Sequence, residues 1–173
     1  MGAIGLPHAR RADGTEVAGE AIFRLRFGLD LFAGVRPVRL LPNVRSPLRD
    51  VSLGIDYVVV RENVEGLYAS RDGGTRVRDE VATDTMVVTR TGTEKIVDYA
   101  FRLAEKRNGR PSDGRSVVTC VDKSNVLGSY AFFRSVFDDV ADRYPAVERD
   151  YAYVDVMTAY QVLSPQNYDV LVS

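Results

Sequence analysis

The octet Arg61-Glu62-Asn63-Val64-Glu65-Gly66-Leu67-Tyr68 follows the apolar run Ile55-Asp56-Tyr57-Val58-Val59-Val60. A β-branched run of that length predicts a buried strand. The octet therefore falls where the strand leaves the sheet, the usual seat of ligand chemistry in α/β proteins. Arg61 carries a permanent charge and a planar fork of donors matched to a carboxylate, so at the mouth of a buried strand it requires an anionic partner. Either an internal acid, Glu62 or Glu65, or an anionic ligand meets that need. From Arg24 to Arg61 there are seven arginines (24, 26, 36, 39, 45, 49, 61) against three acids, Asp30, Asp50 and Asp56, a local balance of +4, although the whole chain has a net charge of −1. Bulk nucleic-acid binding is not expected from that total, and the local excess points to a small anion.

The metal chemistry open to the chain is limited by composition. There is one cysteine, Cys120, and one histidine, His8. Cys120 cannot form an internal disulfide and lies in Ser116-Val117-Val118-Thr119-Cys120-Val121, where it is expected as a small buried strand residue; His8 sits in a polar N-terminal segment and is expected to be solvated. Any metal must then be held by carboxylates, which suits a hard cation such as magnesium or manganese. With 173 residues, 45% hydrophobic and 27% charged, the chain is expected to form one globular domain. No apolar run approaches the ~20 residues of a membrane helix, and the N-terminus has no signal-peptide pattern. These features predict a cytoplasmic protein with no membrane partner.

The elements that position these residues follow from periodicity. Residues 1–20 form an irregular N-terminal segment, and residues 21–173 the domain proper. Ala21, Ile22, Leu25 and Leu29 recur at helical spacing, with Gly28 weakening the end of the helix and Arg26 close to it. Val35 to Leu41 predicts a strand that Pro37 places at an edge, and Ile55 to Val60 the central strand. Ser70 to Arg76 is a polar turn from which Val81 to Thr89 returns as β-type sequence, either an arm that pairs with a second subunit or a local surface hairpin. Thr91-Gly92-Thr93-Glu94 predicts a capping box before a helix whose buried face is Ile96, Val97, Ala100, Phe101, Leu103 and Ala104, ending at Asn108-Gly109. Val117 to Val121 predicts a strand with the polar cluster Asp122-Lys123-Ser124-Asn125 at its carboxyl end. A helix burying Phe133, Val136, Phe137 and Val140 follows, stopping before Pro145. Tyr151 to Val156 predicts a strand with Asp155 near its end, Thr158 to Leu163 a short helix, and Tyr168 to Val172 a last strand. Alternating strands and helices give an α/β layer with polar residues gathered at the strand ends.

Those gathered residues compose a recognisable set: Arg26 and Arg36 in Arg26-Phe-Gly-Leu-Asp30-Leu-Phe-Ala-Gly-Val-Arg36-Pro37, Arg61 and Tyr68, Lys123 and Asn125, and Asp155, together with Thr89-Arg-Thr-Gly-Thr-Glu94 and the closing Asn167-Tyr-Asp-Val-Leu-Val172. From about Ala21 to Ser173 the chain resembles the metal-dependent β-decarboxylating dehydrogenases, the family of isopropylmalate, isocitrate, homoisocitrate and tartrate dehydrogenases. The resemblance implies an isopropylmalate dehydrogenase-like α/β fold, here a substrate and dimerisation domain with a β arm, whose nucleotide-fold segments are truncated at both ends. It also implies NAD- or NADP-linked oxidative decarboxylation of a 2-hydroxy-3-substituted dicarboxylic acid, most like 3-isopropylmalate, with Mg2+ or Mn2+. Arg26, Arg36 and Arg61 would clamp the carboxylates, Asn125 would lie at the substrate, Tyr68 would protonate the enol, Lys123 would move the proton of the substrate hydroxyl, and Asp155 would be one metal ligand. The chemistry is coherent: oxidation places a ketone β to a carboxylate, a cation stabilises alkoxide and enolate, and a lysine among other cations has its pKa pushed down.

Departures accompany the resemblance. The turn usually written Ala-Asn-x-Arg-Pro is Ala33-Gly34-Val35-Arg36-Pro37 here, which removes an amide beside the second arginine. No residue matches the family's main NAD contacts, and of three expected carboxylate ligands only Asp155 is present, so the 173-residue chain alone is expected to lack turnover. Ile22 and Phe23, where the family recognises the malate substituent, favour an alkyl group. Val154-Asp155-Val156-Met157 likewise leans toward isopropylmalate and tartrate enzymes, whereas the octet leans toward isocitrate and homoisocitrate enzymes, whose acids are tricarboxylic. A homodimer with shared active sites is implied, Lys123 and Asp155 completing the site of the neighbouring subunit. Within one chain, Lys123 should then lie outside the ~4 Å reach of an ion pair with any carboxylate held by the three arginines. A non-catalytic remnant that dimerises or binds anions is the alternative.

Overall fold

The computed structural model describes residues 10–14, 17–71 and 73–173. His8 and the rest of the first nine residues lie outside that range. The elements are α1 (Val17–Gly28), β1 (Ala33–Arg39), β2 (Asp56–Glu62), β3 (Thr75–Val77), β4 (Val81–Thr83), α2 (Arg90–Ala104), β5 (Val117–Asp122), α3 (Gly128–Ala141), β6 (Glu148–Tyr153), α4 (Val154–Leu163), a short 3-10 turn at Pro165–Asn167, and β7 (Val170–Val172).

Five strands form one sheet in the order β1-β2-β7-β5-β6. β1 runs antiparallel to β2, and the rest are parallel. Pro37, which cannot donate to a ladder, sits in β1 at the edge, as expected. β2 is second from that edge, and β7 holds the central position. The apolar run that precedes the octet is therefore not the central strand, and Arg61 and Glu62 still belong to β2. β5 is buried at all six positions, as a parallel strand covered on both faces must be.

One face carries α2 and α3. Ile96, Val97, Phe101, Phe133 and Phe137 close over Val58, Val60, Val118, Cys120, Val170 and Val172. Each fully buried Phe or Ile contributes about 1.5–3 kcal/mol relative to exposure. The opposite face is thinner, with Met157 and Tyr168 over Tyr57, Val121 and Leu171. Cys120 is buried and free, and burial pushes its thiol far above the usual range. The excursion between β2 and α2 is a hairpin, β3 against β4, exposed at every strand position, anchored at its base by a two-way bridge between Gly66 and Val87.

Several boundaries differ from the sequence reading. α1 begins at Val17, not Ala21. The cap of α2 is Thr89, whose hydroxyl accepts from the Gly92 amide at 3.0 Å, so the cap falls two residues before the expected one at Thr91, and Glu94 instead lies one turn from Arg90 as an ion-pair partner. α2 ends at Ala104, and Gly109 makes the later turn at φ +75°. β6 ends at Tyr153, which places Asp155 in the first turn of α4. A carboxylate there meets the positive end of the helix dipole, which the alternation of apolar residues across Tyr151 to Val156 concealed.

Candidate active site

Backbone amides take up the two acids of the octet. The Glu62 carboxylate accepts from the amides of Val64 at 2.9 Å and Glu65 at 2.6 Å, closing the turn after β2. The Glu65 carboxylate accepts from the Thr89 amide at 2.9 Å and from its hydroxyl, and lies over Gly92, where a Cβ would collide with it. Gly66 then takes φ +66°, the left-handed region that favours glycine. With both acids committed, Arg61 has no internal ion pair with them. Its Nη2 instead donates to Asn63 Oδ1 at 2.5 Å, and its Nε is buried without a hydrogen-bond partner among the described residues.

This turn also brings Tyr68 close to two guanidinium groups. Arg26, from the last turn of α1, lies 4.8 Å from the Tyr68 ring centre and Arg61 lies 5.7 Å from it. Phe23, one turn before Arg26, meets the same ring at 5.7 Å. Arg26 Nη1 is also buried and without a partner. A buried, unpaired donor on each of two cations is costly unless an anion satisfies both. A cleft of about 350 Å³ is lined by Arg61, Tyr68, Leu67, Met86, Tyr130 and Phe133, but not by Arg26.

Arg36 is exposed on β1. Gly34 stands opposite Arg61 and Arg36 opposite Val59, so Arg36 shares the sheet face of Arg61 one step along the ladder. Ile22 is half-buried on α1. Lys123 and Asp155 form a separate group. Lys123 Nζ donates to Asp155 Oδ1 at 2.8 Å and lies 5.5 Å from the Tyr153 ring, and this lysine holds the Asp155 carboxyl below its usual range. They follow β5 and β6, which β7 separates from β2, and neither residue lines the Arg61 cleft. Asn125 is exposed in the turn after β5. Sequence reasoning thus named Arg26, Arg61, Tyr68 and Phe23, which gather around one ring, and Lys123 and Asp155, which pair elsewhere.

Two contributors went unnamed. Asn63 holds Arg61, and its signal was an amide two residues beyond an arginine on the same strand exit. Asp122, fully buried, accepts from Arg134 Nε at 2.7 Å, Arg134 Nη2 at 2.9 Å and the Ser124 amide at 2.8 Å, fixing the backbone on which Lys123 stands. Its signal was an acid closing an otherwise apolar strand.

The profile of the isocitrate/isopropylmalate dehydrogenase family matches residues 1–173, including the first twenty residues that the motifs left aside. The chain belongs to this family. A 3-isopropylmalate dehydrogenase of Corynebacterium glutamicum is 40% identical over 177 residues, which is 100% of this chain and 49% of that enzyme. One of Bifidobacterium longum is 38% identical over 100% of this chain and 48% of its own length. The chain thus spans about half the length of the curated relatives it matches. Among solved structures, the TT0538 protein from Thermus thermophilus superposes with a TM-score of 0.77 at 34% identity, over 97% of this chain and 31% of that one. An isocitrate dehydrogenase from Methylococcus capsulatus gives 0.70 at 34% identity, over 84% and 41%. The dehydrogenase fold of mixed α/β type, with a largely parallel sheet, is what this family membership and these superpositions have in common. No helix among the described residues is long and apolar enough to cross a membrane.

Proposed function

We propose that the protein is a cytoplasmic, metal-dependent, NAD- or NADP-linked dehydrogenase that oxidises and decarboxylates a malate-type 2-hydroxy dicarboxylic acid substituted at C3. 3-Isopropylmalate is the acid its curated relatives' names indicate, and isocitrate, homoisocitrate and tartrate are the alternatives. The observation that carries the reading is the pair of buried donors, Arg26 Nη1 and Arg61 Nε, without a partner among the described residues and both on arginines close to the Tyr68 ring. Arg26 and Arg61 bind and orient the carboxylates with Arg36, fixing the acid against Tyr68. Once C2 is a ketone, the carboxylate β to it is lost as CO2 and the Tyr68 hydroxyl delivers a proton to the enol carbon. Lys123 takes the proton of the substrate hydroxyl, in a site shared between two subunits.

Mg2+ or Mn2+ would stabilise the developing alkoxide, with Asp155 as a ligand. However, the described residues hold no group of three acids, histidines or cysteines able to bind a metal. One carboxylate already paired with Lys123 does not make such a site. No step is therefore derived through the metal or the nucleotide. That donor set also favours a second reading for this segment by itself, an anion-binding and dimerising unit without turnover.

Calorimetric titration with 3-isopropylmalate, isocitrate, homoisocitrate and tartrate tests the proposal. At least one acid should bind, and Arg61→Ala should weaken it by roughly a hundredfold, as loss of a charge-assisted pair does. Failure of all four to bind would remove the malate-type reading, whereas binding without formation of reduced nicotinamide in the presence of Mg2+ and NAD or NADP would favour the second reading.

A further inference from the structure

α1 brings Arg26 to the site but buries little apolar surface. Leu25, Phe27 and Leu29 are 42%, 40% and 65% exposed. Core packing therefore does not fix the distance between Arg26 and Arg61. The backbone at the exit of α1 folds back on itself, the Leu31 amide donating to the Arg26 carbonyl at 2.8 Å. Whatever holds Leu31 therefore holds the turn that carries Arg26.

Asn63 does so. Its Nδ2 donates to the Leu31 carbonyl at 3.3 Å, while its Oδ1 accepts from Arg61 Nη2. One amide thus joins the two cationic arms of the site. Gly34 lies alongside it: a Cβ there would stand in ordinary contact, 3.4 Å from Asn63 Oδ1 and 3.4 Å from the Arg61 carbonyl. The bond engages Nη2 and leaves Arg61 Nε, like Nη1 of Arg26, buried and without a partner among the described residues. A neutral acceptor is what this arrangement needs, since a carboxylate at position 63 would satisfy Arg61 internally.

We infer that Asn63 is a positioning residue, a neutral amide whose bonds to Arg61 and to the Leu31 backbone set the separation of the two arginines for a bound dicarboxylate. The identity of that anion rests on the function proposed above; the role of Asn63 rests on the two bonds. The full chain is titrated with 3-isopropylmalate and, separately, with inorganic phosphate, alongside Asn63→Ala and Asn63→Asp. Asn63→Ala should weaken both probes about tenfold or more. Asn63→Asp should weaken them further while its thermal midpoint equals or exceeds that of the wild type, because the new carboxylate pairs with Arg61. A merely structural asparagine would show the opposite: affinity falling only as the midpoint falls, and a near-isosteric Asp binding like the wild type. Either that pattern or an Asn63→Ala variant within about twofold of wild-type affinity overturns the inference. If the wild type binds phosphate but not 3-isopropylmalate, with the same order among variants, the substrate assignment falls and Asn63 keeps its role. If it binds neither, both fall.

Discussion

Arg107 shows how one side chain can hold distant parts of this fold together. Its Nε donates to Asp169 at 2.7 Å, and its Nη2 donates to the Asp56 carbonyl at 2.9 Å and carboxylate at 2.8 Å, joining the entries of β7 and β2. Asp169 is fully buried and also accepts from the Val117 amide. Burial, with the nearby Asp56 charge adding to it, pushes its carboxyl above the ordinary range even though Arg107 and the Val117 amide oppose the shift, so the pair is poised against a large desolvation cost. Arg107→Met should therefore destabilise the chain by about 3–5 kcal/mol, the cost of leaving a buried acid unpaired. Urea unfolding reads this directly, and a loss under about 1 kcal/mol would mean that water reaches Asp169. In the sequence, Glu105-Lys106-Arg107 looks like a solvated helix end, because the partner that gives Arg107 its role lies 62 residues away. The site is legible to the same degree. Arg26, Arg61 and Tyr68 could be named from their types and motifs, but that Glu62 and Glu65 would turn to backbone amides depends on a turn geometry that residue types do not express. Asn63 became visible only with that geometry.

Among elements, β6 and α3 are joined by a tyrosine. The Tyr151 hydroxyl donates to Asp138, its ring meets Phe137 edge-on at 5.8 Å, and Arg134 stacks 5.0 Å from its centre. Partial burial, then the bond to Asp138, push its pKa up to about 12. The folded value lies above the ordinary ~10, so this contribution to stability is complete below pH ~10 and is lost as the pH rises toward ~12. The urea midpoint of the wild type should fall across that window more steeply than that of Tyr151→Phe, which has no phenol to titrate; equal slopes would sink the claim. Strands and helices with a strong period were readable at this scale: β5, α2 and α3 have their expected buried faces. What was not readable was where one element passes into the next. Tyr151 to Val156 alternates like a strand, yet the chain turns into α4 after Tyr153, and that shift puts Asp155 on a helix beside Lys123. Sheet order was equally hidden. The three-residue β7 holds the centre by pairing in parallel with both β2 and β5, a long-range arrangement that no local window contains.

At the scale of the molecule, the face carrying α4 is unfinished. Val154, Val156, Tyr160, Val162 and Leu163 are 45%, 37%, 42%, 56% and 72% exposed on one short helix, and the β3-β4 hairpin projects with Val77 and Val81 uncovered. Apolar surface of this kind is covered by a partner in a soluble protein, and a second copy related by a two-fold axis is the common solution. A two-fold axis also bears on chemistry, because Lys123 with Asp155 and Arg61 with Tyr68 form two groups within the chain. Suppose each site takes Arg61 from one subunit and Lys123 from the other. Then Arg61→Ala and Lys123→Ala, each inactive alone, should complement when mixed: in the hybrid dimer one site receives both alterations and the other neither. Random reassortment of equal amounts makes half the dimers hybrid with one intact site in two, so activity should return to about a quarter of the wild type. If Arg61 and Lys123 instead served a site within a single chain, every site in every dimer would carry one defect and mixing would restore nothing. Once the wild type is shown to reduce NAD or NADP with one of the four acids, the measurement is made after co-expression of the two variants, with the hybrid isolated by a tag on one of them and expected to show about half the wild-type activity. Absence of recovery in an isolated hybrid that is dimeric by light scattering would end the shared-site proposal.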